Sequence, residues 1–563
     1  MPVATLTGMT TRPSRLAAAV LAAALVVVPL ASGCGEQVGP ARHSDGGARA
    51  TAVRTGGSAA DGSSADGRHE PLPVTTGWGP SAAEIARARR LVAGLSLPER
   101  AGQVIVASYT GTRPPTALVD RLHLGGVVAF DTNITGPDQI RRSNQALQAA
   151  ATRAGRRWPV FVGVDQEGGV VERVERGVTR FPAFMSSGAA REPALTEAAA
   201  RASGRELAGL GFTVDFAPDR DVTAGPQDPT IGSRSASSDP GVVTRQADAA
   251  SRGYAAAGVV PVAKHFPGHG SVDANSHFTL PVQAKGMAAL RRTDLVPFTD
   301  AVAGSAPAVM TAHLDVRAVD PGVPSSLSEK VVTGLLRQRL GFDGLAVTDA
   351  LNMDAVTEHY SPARAAVAAL RAGEDVLLMP ADPVAARRGI VAAVRHGHLD
   401  QGRLDQAAIR QVALLLHQHD AGVHPAAPGS GRAASARLSA RALTSVSGRC
   451  SGRLVGRAVR VSGPAAAVAA FRSAAHRAGL TVSRRTGTTV RLVGYGGAPA
   501  KADVVVATDT PYVLGRSRAR TARLATYGDT PGAMTALVAV LLGRGHAPGR
   551  LPVHVAGVPR AGC

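Results

Sequence analysis

The chain has 563 residues, of which 45% are hydrophobic and 3% aromatic, and its formal net charge is +20 at pH 7. This length is sufficient for two or three domains with sizeable cores. The positive charge does not indicate a nucleic-acid-binding protein, because the arginines are scattered and no basic run is interleaved with aromatic side chains that could stack on bases. We therefore expect no nucleic-acid partner, and at most a diffuse attraction to an anionic cell envelope.

Residues 1–33 have the pattern of a bacterial secretory signal. Arg12 and Arg15 precede the apolar run 16–30, which is too short and too rich in alanine to span a membrane. Small residues then lead to Cys34, and a cysteine directly after Gly33 resembles a lipobox. We predict cleavage before Cys34 and lipidation of its thiol, with a signal peptide cut elsewhere as the alternative. The protein would then be anchored by lipid to the outer face of the cell membrane, or secreted.

Residues 34–80 are predicted to be a flexible tether. They are mainly Gly, Ser, Ala, Asp and Arg, and such a segment cannot bury enough apolar surface to offset the entropy lost on ordering. Export would also leave Cys450 and Cys563 in an oxidising compartment. The sequence leaves open whether these two cysteines form a disulfide.

Eight short apolar runs in the range 81–419 predict a barrel domain. They alternate with alanine- and leucine-rich segments of helical spacing, and strands that alternate with helices pair in parallel through right-handed crossovers. The predicted fold class is α/β, a (β/α)8 TIM-type barrel, with a doubly wound open sheet as the alternative. The predicted strands are 104–107, 126–130, 160–164, 212–216, 259–263, 308–312, 345–347 and 376–379.

Functional side chains of such a barrel are expected directly after the carboxyl ends of its strands. This sequence has charged residues or histidines after five successive runs. They are Asp165 and Glu167 after the third, Asp219 and Asp221 after the fourth, Lys264 and His265 after the fifth, His313 after the sixth and Asp349 after the seventh. We therefore predict one functional site at this end of the barrel.

The segment 264–277 carries the most chemistry. Lys264 is one of only four lysines, against 58 arginines, which indicates a need for the compact, flexible charge of lysine. His265, His269 and His277 raise the possibility of a metal site, but their spacing across a Pro/Gly-rich loop does not match a pair of helical ligands. No nucleotide-binding glycine pattern is present either. We therefore predict neither a metal nor a cofactor.

Three motifs together resemble glycoside hydrolase family 3, and within it the β-N-acetylglucosaminidase branch that acts on peptidoglycan fragments. They are Asp-Gln-Glu-Gly-Gly at 165–169, Lys-His-Phe-Pro-Gly-His-Gly at 264–270 followed by Ser276-His277, and Thr-Asp-Ala-Leu-Asn-Met at 348–353. The resemblance runs from about residue 85 to the end of the chain, and includes segments 525–531 and 549–553.

The resemblance implies a role for each matching residue. Asp349 would be the nucleophile and His277 the general acid/base. A retaining glycosidase needs a carboxylate that forms a glycosyl-enzyme and a second group that protonates the leaving oxygen, and histidine can do the latter near neutral pH. The implied sugar-binding residues are Asp165, Arg173, Arg234, Lys264 and His265.

The sequence departs from the family pattern at two positions. Val170 stands where the family has arginine, and Asn275 stands where the family has an aspartate that orients the catalytic histidine and stabilises its charged form. In serine proteases the corresponding aspartate-to-asparagine change lowers the rate by several orders of magnitude through the wrong histidine tautomer. Asp273 is an alternative partner for His277; without one, catalysis would be slow or lost.

A linker is predicted at 420–436, and alternating strand-like and helical segments over 437–563 predict a smaller α/β domain, in which we find no catalytic constellation. Our leading hypothesis is an exported retaining exo-β-N-acetylglucosaminidase that acts on muropeptides or chitooligosaccharides. One alternative is a phosphorylase, because a histidine acid/base repels phosphate less than a glutamate would. The other, motivated by Asn275, is a catalytically impaired, sugar-binding envelope lipoprotein.

Overall fold

The computed structural model describes residues 77–448 and 452–558. The predicted signal segment, nearly all of the predicted tether, and the cysteines at 34, 450 and 563 lie outside the described residues. Lipidation of Cys34 therefore stays a prediction, and whether Cys450 and Cys563 form a disulfide stays open. No described helix combines the length and the apolar character that crossing a bilayer requires.

Eight parallel strands form a nearly closed barrel in which neighbours in space are neighbours in sequence. The last strand pairs with the first, and a bridge between Val347 and Val376 joins the seventh to the eighth. Each predicted run overlaps one strand, so the barrel is confirmed and the open sheet was wrong. The strands are β1 Ile105–Ser108, β2 Gly126–Val128, β3 Phe161–Val164, β4 Val214–Asp215, β5 Val260–Phe266, β6 Ala308–Thr311, β7 Leu345–Thr348 and β8 Leu377–Leu378.

Helices surround the barrel and bury its outer face. The strands are buried almost throughout, as expected for parallel strands covered on both faces. Inside the barrel the rings of Phe161 and Phe216 lie 6.1 Å apart, and each such buried side chain contributes about 1.5–3 kcal/mol. The helices are α1 Ala82–Ala93, α2 Leu97–Gln103, α3 Thr116–Leu122, α4 Pro137–Arg153, α5 Met185–Ala190, α6 Pro193–Gly209, α7 Pro240–Ala256, α8 Met287–Arg292, α9 Val296–Ala303, α10 Asp354–Thr357, α11 Pro362–Ala372, α12 Pro383–Arg395 and α13 Gln401–Asp420, together with a π-type helix, Lys330–Arg339.

The smaller C-terminal domain is a six-stranded sheet with helices, as the sequence predicts. Its strands are β9 Thr444–Gly448, β10 Ala458–Ser462, β11 Thr481–Val482, β12 Thr488–Val493, β13 Lys501–Ala507 and β14 Arg518–Ala525, and its helices are α14 Arg432–Ala442, α15 Ala465–Arg477, α16 Val513–Arg516 and α17 Pro531–Leu541. The sheet order is β9-β14-β13-β12-β10-β11, and every pair except β9 with β14 is parallel.

The C-terminal domain packs on the barrel loops that carry the predicted site. Buried Glu206 accepts hydrogen bonds from the backbone of Thr179 at 2.9 Å, Gly429 at 2.8 Å and Gly431 at 2.7 Å, and so fixes the segment between α13 and α14. Ser233, in the loop after β4, donates a hydrogen bond to Asp509 of the C-terminal domain. These contacts hold one wall of the C-terminal domain beside the open end of the barrel.

Candidate active site

The loop after β3 is shaped by two glycines. Gly168 and Gly169 have φ angles of +90° and +66°, and a Cβ at Gly169 would lie 2.5 Å from the Cβ of Ala183. Only glycine satisfies both conditions. The turn folds Gln166–Gly168 back against Val171–Glu172 as a short antiparallel pair, which directs the side chains of Asp165 and Glu167 into the mouth of the barrel.

A buried cluster of four charges lies at this mouth. The Lys264 Nζ, on a side chain only 2% exposed, lies 2.8 Å from Asp165 Oδ1 and 2.6 Å from Glu167 Oε1. Arg234 donates to both oxygens of Glu167, through Nε and Nη2, at 2.9 Å each. Because buried charges are costly unless paired, this mutual pairing offsets the cost of burying Lys264 and Glu167, while Arg234 and Asp165 stay partly exposed.

The pairing also fixes the ionisation of the cluster. Burial would raise the pKa of Glu167, but the charges of Arg234 and Lys264 hold it well below its usual range. Burial would lower the pKa of Lys264, but the carboxylates of Asp165 and Glu167 raise it. Two carboxylates and two cations therefore face the mouth with balanced charge. Such a set offers strong donors and acceptors to the hydroxyl groups of a neutral ligand.

His265 is oriented by contacts at both ring nitrogens. Arg234 Nη2 lies 3.3 Å from His265 Nε2. Because a carboxylate can only accept, His265 Nδ1 carries a proton and donates to Asp221 Oδ2 at 2.7 Å. The neighbouring Asp219 has an oxygen with no hydrogen-bond partner among the described residues. Burial and the nearby Asp221 raise the pKa of Asp219 well above its usual value.

Asp219, Asp221 and His265 have atoms within 4.8 Å of one another and so form a geometric candidate for a metal site. The Asp221 carboxylate, however, already accepts hydrogen bonds from His265 Nδ1 and from the backbone of His269. Hydrogen bonding explains this group without an ion, and a proton on His265 Nδ1 blocks that nitrogen as a ligand.

Asp349 follows β7 and its side chain is nearly buried. Its Oδ1 accepts the Ala350 N–H at 2.8 Å. Burial would raise the pKa of Asp349, but the neighbouring rings of His265 and His313 and the Ala350 N–H lower it by more, so the carboxylate stays ionised. His313 donates from Nε2 to the Ala350 carbonyl at 3.0 Å, which fixes the turn that carries Asp349.

His277 lies on the loop after β5, and its partner is Asn275. The backbone N–H of His277 lies 3.0 Å from Asn275 Oδ1, and only an oxygen can accept that hydrogen. The same oxygen lies 2.8 Å from His277 Nδ1, which must therefore donate. The neutral His277 ring thus carries its proton on Nδ1 and leaves the Nε2 lone pair free. Asp273 is exposed and, within the described residues, makes no hydrogen bond to His277.

The surroundings of His277 disfavour its charged form. Partial burial lowers the pKa of His277, and the charges of Arg234 and Arg173 and the ring of His265 add to this, while Asp349 opposes it. An asparagine oxygen supplies no full negative charge to offset these effects. The loop itself is anchored, because buried His269 is hydrogen-bonded to Ser276 Oγ at 3.1 Å and the Asp354 N–H donates to the His277 carbonyl at 3.4 Å.

The structure brings the predicted site residues to one end of the barrel. Three of them, Asp165, Lys264 and Arg234, belong to the buried cluster, and His265 lies beside it. The charges of Asp349 and Arg173 both act on the His277 ring. The Arg173 guanidinium also lies 5.1 Å from the centroid of the Phe130 ring.

Sequence analysis missed several contributors. Glu167 stands in the 165–169 motif, but the sequence assigns it no role, although it joins Lys264 to Arg234. The sequence indicates only that Asp221, which orients His265, follows a strand. A cleft of about 1180 Å³ runs from His277 to the C-terminal domain, and no motif pointed to its far wall. That wall includes Tyr495, Asp509, Tyr512, Arg516 and His554.

A family profile and several known β-hexosaminidases match this chain. The family profile "Glycosyl hydrolase family 3 N terminal domain" matches residues 96–414. Beta-hexosaminidase A of Pseudoalteromonas piscicida is 37% identical over 287 residues, 48% of this chain and 48% of that protein, so the match spans about half of that relative. Beta-hexosaminidase LpqI of Mycobacterium tuberculosis is 33% identical over 370 residues, 63% of this chain and 91% of that protein.

The solved structure of a glycoside hydrolase family 3 beta-N-acetylglucosaminidase from Paenibacillus sp. str. FPU-7 is similar over both domains. It superposes with a TM-score of 0.74 at 28% identity, and the match covers 82% of this chain and 99% of that one. The likeness therefore includes the C-terminal domain as well as the barrel.

Proposed function

This chain belongs to glycoside hydrolase family 3, and we propose that it is a β-hexosaminidase, specifically a retaining exo-β-N-acetylglucosaminidase. Its substrates would be muropeptides or chitooligosaccharides with a terminal β-linked N-acetylglucosamine. One observation carries the proposal: ionised Asp349 and the free Nε2 of His277 come from adjoining loops beside the buried cluster of Lys264. Together they supply a nucleophile, a proton carrier and a polar pocket for one sugar.

The proposed reaction has two steps. The Asp349 carboxylate forms a bond to the anomeric carbon of the sugar while the glycosidic bond breaks, and His277, protonated on Nε2, gives its proton to the leaving oxygen. His277 then takes a proton from water, and the resulting hydroxide equivalent displaces Asp349. The donors and acceptors of Asp165, Lys264 and Arg234 hold the hydroxyl groups of the sugar during both steps.

The hydrogen bond from His277 to Asn275 suits the second step better than the first. The neutral tautomer with a free Nε2 is ready to accept a proton from water. The first step needs the imidazolium, which Asn275 stabilises less than an aspartate would. We therefore expect formation of the glycosyl-enzyme to limit turnover of substrates with poor leaving groups at neutral pH.

Product analysis tests the proposal and its two alternatives. We expect the wild-type protein to release β-N-acetylglucosamine first from a nitrophenyl β-N-acetylglucosaminide, as detected by early proton NMR, because two displacements at one carbon retain its configuration. First release of the α-anomer would contradict the proposal. Formation of a sugar phosphate in phosphate buffer would favour the phosphorylase. Binding without any turnover, even of an activated nitrophenyl glycoside, would favour the sugar-binding protein.

We propose further that the protein is a lipoprotein anchored through Cys34 to the outer face of the cell membrane. The support is the sequence alone, with Gly33 directly before Cys34 and an apolar run upstream. Radiolabelled fatty acid should be incorporated into the wild type and not into Cys34→Ala when each is expressed in a lipoprotein-processing host. Equal labelling of the two proteins would contradict the anchor and favour a secreted enzyme.

A further inference from the structure

Two exposed large apolar side chains line the active-site cleft, and a third lies beside it. Among the described residues, the large hydrophobic side chains that are exposed are Val170 at 48%, Phe278 at 72%, Val423 at 44% and Tyr495 at 73%. Val170 and Tyr495 line the cleft, and Phe278 directly follows His277, with the two ring centroids 6.3 Å apart. Exposed apolar groups at the rim of a polar cleft are positioned to contact a ligand or partner.

The cleft lies on the leaving-group side of the bond that would be cleaved. Its wall includes Asn275, His277 and Arg234, but Lys264 and Asp349 are not among the described residues that line it. The sugar that becomes bonded to Asp349 must occupy the inner pocket. The cleft begins at His277, which would protonate the leaving oxygen. The part of a substrate that lies in the cleft is therefore the leaving group.

Tyr495 is well placed to contact that group. It follows strand β12 in the loop Gly494–Gly497, where Gly496 has a φ of +65°. Strand β10 lies between β11 and β12, so the two strands that follow it in sequence pair with its opposite edges. The carboxyl ends of parallel strands at such a point commonly form a binding crevice. A second cavity of about 560 Å³ lies at this point, and Tyr495 lines it as well as the cleft.

We infer that Tyr495 is a specificity-determining residue that stacks on a pyranose ring in the leaving group. The C–H face of a pyranose is apolar, and an exposed tyrosine ring offers it a flat surface while keeping a polar hydroxyl for water or the sugar. The C-terminal domain, which carries no catalytic group in this account, thereby selects substrates with a further sugar beyond the bond. This inference rests on the proposed function.

The test compares two substrates that differ only in the leaving group. N,N′-diacetylchitobiose leaves a pyranose, whereas methyl β-N-acetylglucosaminide leaves a group too small to reach Tyr495. Tyr495→Ala should lower kcat/KM for the disaccharide about fivefold, mainly through KM, and leave the methyl glycoside unchanged. Tyr495→Phe, which keeps the ring, should stay within about twofold of wild type. Val423→Ala is the matched control, an exposed apolar residue outside the cleft, and should change neither substrate.

An equal loss on both substrates, or no loss on the disaccharide, would overturn the inference. If the wild type hydrolyses neither substrate, the proposed function fails, and calorimetric binding of the disaccharide then decides the inference separately. A weaker Kd in Tyr495→Ala than in Val423→Ala would still support stacking, and equal Kd values would overturn it.

Discussion

Asp349→Ala should lower kcat by about 10³-fold or more, because loss of the carboxylate removes the covalent route and leaves only binding and orientation. The fold should survive. The Asp349 side chain lies at a strand end and makes one local hydrogen bond, to the Ala350 N–H. Loss of such a bond costs about 1 kcal/mol, which in a protein of this size lowers Tm by about 2 °C or less.

Asp354→Ala provides a matched control for Asp349→Ala. Asp354 is an exposed carboxylate at the start of α10, directly after the loop that carries Asp349, and in this account it takes no part in the chemistry. Its removal should leave kcat within about twofold of wild type. Hydrolysis by Asp349→Ala at a rate near that of wild type, with a clean preparation, would contradict the role of Asp349.

Asn275→Asp should raise kcat for N,N′-diacetylchitobiose at neutral pH by at least about tenfold, equivalent to about 1.4 kcal/mol of barrier. The Asn275 oxygen already accepts from His277 Nδ1 at 2.8 Å, so an aspartate would keep the geometry and add the missing charge. The gain should grow with pH. Burial lowers the pKa of His277 in the wild type, so the wild type loses its protonated His277 at a lower pH than Asn275→Asp does. A carboxylate at 275 would keep His277 protonated to higher pH.

Two comparisons separate this effect from a general improvement. A nitrophenyl glycoside needs little proton donation, so Asn275→Asp should help it much less than the disaccharide. Asp273→Asn should change neither rate, because Asp273 is exposed and makes no hydrogen bond to His277 within the described part of the chain. An unchanged disaccharide rate in Asn275→Asp would mean that His277 is not the acid/base here.

The barrel was predictable because its signal is local. Buried parallel strands appear as short continuous apolar runs, and each of the eight runs overlaps a strand, although β4 is limited to Val214–Asp215 where the run suggested five residues. The end of each run also located the charged residues, since the carboxyl ends of all strands meet at one rim.

Other parts of the site depend on contacts that a sequence does not display. Whether Asn275 or Asp273 faces His277 is decided by a tight turn, in which the Asn275 side chain accepts the N–H two residues on. Glu167 gains its importance only when a side chain from β5 and one from the loop after β4 converge on it. The wall formed by the C-terminal domain depends on how two domains pack, which no motif records.

Trapping the glycosyl-enzyme tests the central claim most directly. An N-acetylglucosaminyl fluoride with a further fluorine on the ring should react with Asp349, because fluoride departs without an acid, and should hydrolyse slowly, because the ring fluorine destabilises the cationic transition state. The account predicts that intact-mass analysis finds one added sugar per chain, and that peptide mapping assigns it to Asp349. Turnover of this compound without labelling, or a label on any other residue, would contradict the account.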